Sequence, residues 1–391
     1  MLRFLTAGES HGPRLSVIVE GLPAGFPVDP AQIDHQLARR QLGYGRGGRM
    51  RIEKDRVEIT AGVRWGETLG SPVTLNVENL DWKNWTKKMS IDPADRDESI
   101  VVTRPRPGHA DLVGSQKYAH SDIRNVLERA SARETTARVA AGGLIRQILE
   151  QFGIRVMGYC SEIGGVIADH SGKTPAEIFE LADASPVRMA DAAAETQVVD
   201  LVDLCKREGD TLGGVAEICV TGLPPGLGSY VHWDRKVDAR LAGALMGIQA
   251  VKGVEFGAGF GVTRVRGSEI HDEIIRTEDG IGRASNNYGG TEGGMTSGEP
   301  LVVRVAFKPI STLMKKPLRS IDIASGEESV ATIERSDVMA IPAAAVIVEN
   351  VVATELAGLF LEKFGGDSLI EITRNLHGYL EQIGWGDRAA T

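Results

Sequence analysis

Two histidines, one aspartate and a dense set of arginines are the residues best suited to chemistry here. His11 lies in "AGESHGPR" (7–14), beside Ser10 and between Gly8 and Gly12. Gly8 to Gly12 matches G-x-S-x-G, the pattern of a hydrolase nucleophile elbow. An elbow needs a strand-to-helix turn and an upstream loop that supplies half of an oxyanion hole. Only seven residues precede Gly8, and Pro13 with the alternating "RLSVIVE" predicts a strand after the motif rather than a helix. A serine hydrolase is therefore the weakest reading. A glycine loop that holds an adjacent Ser and His fits better. His109 follows Arg104, Arg106 and Gly108 in "TRPRPGHADLVG", with Asp111 nearby. Asp337 follows Arg335 in "IERSDVMAIPAAA", just before a helix opened by Pro342. Alone, His109 reads equally as an exposed loop histidine, and Asp337 as a turn or capping acid. Neither histidine has metal-ligand spacing to another His, Cys or acid, so no metal is expected.

The arginines suggest what such groups would act on. The chain carries 44 basic and 53 acidic residues, a net charge of −9. That balance, with 5% aromatics, argues against nucleic acid. Yet "RRQLGYGRGGRMR" (39–51) holds Arg39, Arg40, Arg46, Arg49 and Arg51 with no acid. A basic glycine-rich segment on an acidic chain points to a small anion held in a pocket, because the guanidinium fork matches carboxylate and phosphate. "ERASARETTARVAAGG" (128–143) adds Arg129, Ser131 and Arg133 at the start of an alanine-rich helix, where unpaired N–H groups favour phosphate. An ordinary surface helix gives the same pattern. "GAGFG" (257–261) lacks the full dinucleotide fingerprint, whereas "SNNYGGTEGGMTSG" (285–298) is long enough for a binding loop.

The elements that must position these groups follow from hydrophobic periodicity. "RFLT" and "RLSVIVEG" read as paired strands, with "GESHGP" the loop between them. Asp29 and Pro30 open a helix that Gly43 can close. Strands are expected near Val57–Thr60, Val73–Val77, Gly214–Thr221 and Leu301–Phe307. Helical patterns run over 121–152, 234–248, 342–364 and 367–383. Strands and helices do not alternate regularly, which favours an α+β fold with antiparallel sheets. "SVIVEGLPAG" (16–25) and "AEICVTGLPPG" (216–226) echo one another, each a strand ending in G-L-P-x-G before a capped helix. This suggests two related halves within one domain, residues 1–391. Three scattered cysteines, no basic-then-apolar leader and no apolar run of about 18 residues point to a reduced, cytoplasmic protein off the membrane.

"GESHG", "RPGHAD", "RASARETTARVAAG" and "RSDVMAIPAA", in this order, resemble the chorismate synthase family. "RRQLGYGRGGRM", "GIQAVKGVEFG", "SNNYGGTEGGMTSG" and "KPIST" extend the resemblance over nearly the whole chain. The resemblance implies conversion of 5-enolpyruvylshikimate 3-phosphate to chorismate and phosphate. This is a 1,4-anti elimination that needs reduced FMN without net redox change. It also implies a β-α-β sandwich of two antiparallel four-stranded sheets at the core flanked by helices, and a homotetramer. By the same resemblance His11 is the acid toward the departing phosphate, with Ser10 in a proton relay. His109 lies near flavin N1, and Asp337 near N5. Arg40, Arg46, Arg49, Arg133 and Arg335 would bind substrate anions. FMN would contact Arg129, Ala130, Ser131, Gln249, Ala250, Gly293, Lys308, Pro309, Ile310, Ser311, Thr312 and Arg335. Arg40 and Arg46 also match positions that the family assigns to NADP.

Two residues depart from the family pattern. Ala130 stands where many relatives carry serine, so only its backbone can serve there. Ile310 stands in "KPIST" where "KPTSS" is commoner, which removes a hydroxyl. No complete nicotinamide fingerprint is present, so reduced flavin is expected from an external reductase. The competing reading is a non-catalytic flavin- or nucleotide-binding sensor that uses the same pockets. Both histidines and Asp337 favour an enzyme, since a binder needs no proton donors.

Overall fold

The computed structural model describes residues 1–47, 52–278 and 280–385. Arg49 and Arg51 lie outside the described residues. In the N-terminal half, β1 (Arg3–Ala7) and β2 (Arg14–Glu20) form an antiparallel hairpin in which Arg3 faces Glu20 and Ala7 faces Ser16. Leu15, Val17 and Val19 of β2 alternate into the core, as the sequence pattern requires. The first helix, α1 (Pro30–Gln41), starts where expected: the Asp29 carboxylate accepts from the Ala31 N–H, and Pro30 takes the first turn. Strands β3 (Val57–Ala61) and β4 (Val73–Glu78) complete a sheet of order β1-β2-β4-β3. Helices α2 (Asp111–Tyr118), α3 (Arg124–Ala130) and α4 (Thr135–Gln151) follow. The helical pattern over 121–152 is thus broken. Ser131 is extended, and its hydroxyl caps a tight turn at Ala132–Glu134 by accepting from the Arg133 N–H.

The second half holds the other large sheet. Strands β5 (Arg155–Ile163), β6 (Val166–Ile167) and β7 (Gly214–Thr221) precede α5 (Val237–Met246); β8 (Val251–Phe256), β9 (Leu301–Phe307) and α6 (Ile341–Phe364) come after it. This sheet has the order β8-β9-β7-β5-β6. It has five strands where the resemblance implies four, because the two-residue β6 adds an edge. Apart from β6, strand order and helix position match the first half: β1-β2-β4-β3 against β5-β7-β9-β8, with α1 and α5 as the inner connections.

The G-L-P-x-G echo occupies equivalent places at the ends of β2 and β7. Gly21 (φ +93) and Gly222 (φ +79) are both left-handed, and a Cβ on either would meet a backbone oxygen, Met1 O at 2.4 Å or Gly153 O at 2.6 Å. The Thr68 hydroxyl donates to Pro23 O (2.5 Å) and accepts from the Phe26 N–H (3.0 Å). The Thr296 hydroxyl donates to Pro224 O (2.7 Å) and accepts from the Leu227 N–H (2.9 Å).

The long helices lie between the two sheets, rather than flanking sheets that form the centre. Helix α4 packs on β2 and β4 and on α6, and α6 packs on β5 and β7. A helix apolar on all sides needs cover on all sides. Helix α6 is long and apolar enough to cross a membrane (mean hydropathy 1.7), contrary to the expected lack of such a stretch, but 89% of that window is buried inside the protein. At its middle, Glu349 takes a bidentate ion pair from Arg39 of α1 (2.8 and 3.0 Å) and another from Arg146 of α4. Burial opposes the charge on Glu349, but Arg39 and Arg146 outweigh it and hold its pKa below the usual carboxylate range. Where α4 crosses α6, a Cβ on Gly142 would fall 2.5 Å from Asn350 Cβ.

Candidate active site

Helix α3 and the β1–β2 loop together position His11. Gly8 takes φ +110, and a Cβ there would lie 2.5 Å from Arg14 O, so the tight return is open only to glycine. The loop is tied down by the Ser10 N–H donating to Glu128 O (3.0 Å) and by Asn79 Nδ2 donating to Gly12 O (2.8 Å). His11 donates its N–H to Glu128 Oε2 (2.8 Å), and its Nδ1 sits 2.9 Å from Glu128 Oε1. The imidazole stacks on Trp85 at 3.9 Å. Ser131 Oγ, at the α3–α4 break, reaches Ser10 Oγ at 3.1 Å. Burial opposes ionisation of Glu128, yet His11 and Arg124 outweigh it and keep its pKa low.

The arginines sit around this loop. Arg133 Nε donates to Asn79 (2.9 Å) and its Nη1 to Asp55 (2.8 Å). Arg40 Nε donates to the Thr135 hydroxyl (3.1 Å), with Asp55 3.8 Å from its Nη1. Both guanidinium groups are buried, and Arg40 Nη1 and Arg133 Nη2 have no hydrogen-bond partner among the described residues. Burial pulls the Arg40 pKa down to about 9; Asp55 acts against this, while Arg133 and Arg46 reinforce it. Two buried carboxylates share this cluster, Asp55 and Glu53, the latter 3.7 Å from Arg133 Nη2; the guanidinium forks also suit an incoming anion. Arg335 is mostly exposed and pairs with buried Asp81 (2.7 Å). Arg46 Nε lies 3.3 Å from Asp337 Oδ2, and the Gly47 N–H donates to Asp337 Oδ1 (2.6 Å). Asp337 and Arg46 border a cleft of about 370 Å³ with Tyr44, Lys206, Thr211 and Met314.

His109 belongs to a separate shell. Its Nδ1 lies 2.5 Å from Asp111 Oδ1, and Arg106 Nε donates to Asp111 Oδ2 (2.8 Å). Burial would raise the Asp111 pKa, but His109 and Arg106 hold it far below the usual range. Ser311 Oγ donates to Gly108 O (3.0 Å), and Lys308 Nζ donates to Ser311 Oγ (3.0 Å). Burial, then Lys252 and Arg106, lower the Lys308 pKa. The Lys308 N–H donates to Ala250 O (3.0 Å), the Thr211 hydroxyl holds Ile310 O (2.8 Å), and Thr312 Oγ1 lies 3.4 Å from Arg106 Nη1. Gln249 Nε2 donates to Glu134 (3.1 Å), which also takes the Thr6 hydroxyl (2.8 Å); Arg129 reaches the same hydroxyl (2.8 Å).

A chain of contacts thus joins Arg129, Gln249, Ala250, Lys308–Thr312 and His109. A second joins Ser10, His11, Ser131, Arg133 and Arg40, and a third Arg46 and Asp337. Gly293 stands apart, between the two short strands of the Thr291–Thr296 hairpin. Sequence reasoning did not single out Glu128, Trp85, Asn79, Asp55 or Asp81. The signal for Glu128 was an acid opening an arginine-rich segment; "LDWKNWTKK" offered none for Trp85.

Such a site, with histidines held by carboxylates beside buried arginines, can be compared with known proteins. The family model described as chorismate synthase matches residues 2–361. The chain belongs to the chorismate synthase family. It is 58% identical to the chorismate synthase of Pelobacter propionicus and 61% identical to that of Symbiobacterium thermophilum, in each case over 98% of this chain and 99% of the relative. A solved structure titled "Crystal Structure of Chorismate Synthase" superposes with a TM-score of 0.79 at 40% identity, covering 98% of both chains. Membership of the chorismate synthase family accounts for a mixed helix-and-sheet fold and for a site rich in arginine.

Proposed function

We propose that the chain catalyses the reaction of its family, the 1,4-anti elimination of phosphate from 5-enolpyruvylshikimate 3-phosphate to give chorismate, in the shikimate pathway. The observation that supports it most is the pair of buried guanidinium groups, Arg40 and Arg133, with N–H donors that no described residue accepts. The substrate carries two carboxylates and a phosphate, which suit such donors. Arg46, Arg49 and Arg335 complete the anion site. His11 protonates the departing phosphate, and since Glu128 holds Nδ1, the transfer falls to Nε2. Ser10 and Ser131 relay that proton. Asp337, beside Arg46, receives the hydrogen lost from the ring.

Reduced FMN is the cofactor. Its phosphate suits the cationic cluster of Lys308, Lys252 and Arg106, and the buried Gln249 Oε1 has no hydrogen-bond partner among the described residues. When bound, it supplies the electron density that lets an unactivated C–H leave. Arg129, Ala130, Ser131, Ala250 and Pro309–Thr312 would hold it, with Gly293 reaching it from the separate Thr291–Thr296 hairpin, and His109, steadied by Asp111, would serve its N1 side. An external reductase supplies it reduced; Arg40 and Arg46 serve substrate rather than NADP. The matching halves are a structural repeat, supported by their equal strand order and by the paired threonine bridges. The protein assembles as a homotetramer in the cytoplasm; exposed Tyr230, Trp233 and Phe260 suit an interface.

Protein, substrate and FMN mixed anaerobically should give chorismate and phosphate with dithionite and neither without it. Turnover with oxidised FMN would contradict the mechanism. His11→Ala and Asp337→Ala should lose rate on the order of 10²–10⁴-fold while FMN affinity holds. Oxidation of NADPH by the purified protein with FMN would sink the external-reductase assignment.

A further inference from the structure

Glu128 is 2% exposed and meets His11 twice. Its oxygens accept from the His11 N–H (2.8 Å) and from Arg124 Nη1 (3.2 Å), and lie 2.9 and 3.0 Å from His11 Nδ1. An ionised carboxylate only accepts, so Nδ1 must carry a hydrogen. The backbone bond and the Nδ1 bond come from one residue, which fixes both the loop and the ring. Trp85 covers one face of the imidazole, and Arg124 and Lys88 lie over the Trp85 ring at 5.2 Å each. Glu334 pairs with Arg124 (3.0 Å).

We propose that Glu128 is a positioning residue that holds His11 with its proton on Nδ1 and directs Nε2 to the departing phosphate. This rests on the family reaction assigned above. In the charged imidazolium both nitrogens bear hydrogen. Transfer breaks the Nε2–H bond and forms an O–H bond on the phosphate, and the ring stays neutral with hydrogen on Nδ1. Without the carboxylate the ring can take the opposite tautomer, with its proton on the wrong nitrogen. A glutamine offers one accepting oxygen to three donors, so it can brace the loop but not fix the ring.

The test uses Glu128→Gln and Glu128→Asp in the full chain, with two readouts. The first is the pH profile of kcat with reduced FMN. Glu128→Gln should lose kcat by on the order of 10²–10⁴-fold, as when a carboxylate behind a catalytic histidine is made neutral. KM and FMN affinity should stay within about threefold, and Glu128→Asp should recover part of the rate. The second readout needs no turnover: ¹³C-histidine NMR, with the His11 signal identified by its absence in His11→Asn. In the neutral ring its Cδ2 shift should report hydrogen on Nδ1 in the wild type and move toward the Nε2–H form in Glu128→Gln. A tautomer that does not change overturns the proposal, as does a fall in kcat matched by equal losses in KM and FMN binding. If the wild type makes no chorismate, the reaction assignment fails, and the NMR tautomer still decides whether Glu128 controls the His11 proton.

Discussion

Arg40 and Arg133 each anchor one side of a guanidinium group to the protein and keep a buried N–H that no described residue accepts. The sequence singled out Arg40 in an acid-free run of five arginines and Arg133 at the start of an alanine-rich helix. Their supports were not legible, since Asp55 and Asn79 lie 78 and 54 residues from Arg133. The same holds for His109. Its motif was readable, but the depth of its partner was not: Asp111 is buried beneath it with a depressed pKa. A depressed carboxylate stabilises the fold above its unfolded pKa of about 3.9, and that contribution is lost as pH falls. Asp111→Asn should therefore lower stability by about 2 kcal/mol near neutral pH. The gap to wild type should narrow below about pH 4 in thermal melts. A gap that is constant with pH would show that the charge of Asp111 is not what holds the loop.

At the scale of elements, the two threonine bridges make a paired prediction. Thr68→Val and Thr296→Val each leave a buried N–H and C=O without their partner, at about 1–3 kcal/mol apiece. Denaturant melts should show losses of similar size; a loss at one site only would weigh against the repeat. The sequence signalled β2 through the alternation of Leu15, Val17 and Val19, and α1 through Asp29 and Pro30. It did not reveal where the long helices lie. Periodicity tells which face of a strand is buried, not whether a helix or a second sheet covers it. The single helical pattern over 121–152 hid the break at Ser131, because Ala, Arg and Glu favour helix on both sides of it. That break is what brings Ser131 to Ser10.

At the scale of the whole molecule, α4 and α6 each pack on one of the two large sheets and on each other, and neither is covered by its own sheet alone. Gly142 lets α4 approach α6 closely. Gly142→Ala should push the helices apart and lower stability by about 1–3 kcal/mol, read as a lower denaturation midpoint. The two halves meet across Phe152, Gly153 and Ile154, where α4 ends and β5 begins. The crossing of α4 and α6 has a consequence for how the chain becomes a protein. A ribosome finishes residues 1–153 long before α6 exists, so the first half emerges with an uncovered apolar helix and waits. Expressed alone, 1–153 and 154–391 should each bind hydrophobic dyes and aggregate, and when co-expressed they should recover one cooperative melt. A single half that stays soluble and melts cooperatively would show that the notch at Gly142 joins two finished domains rather than completing one.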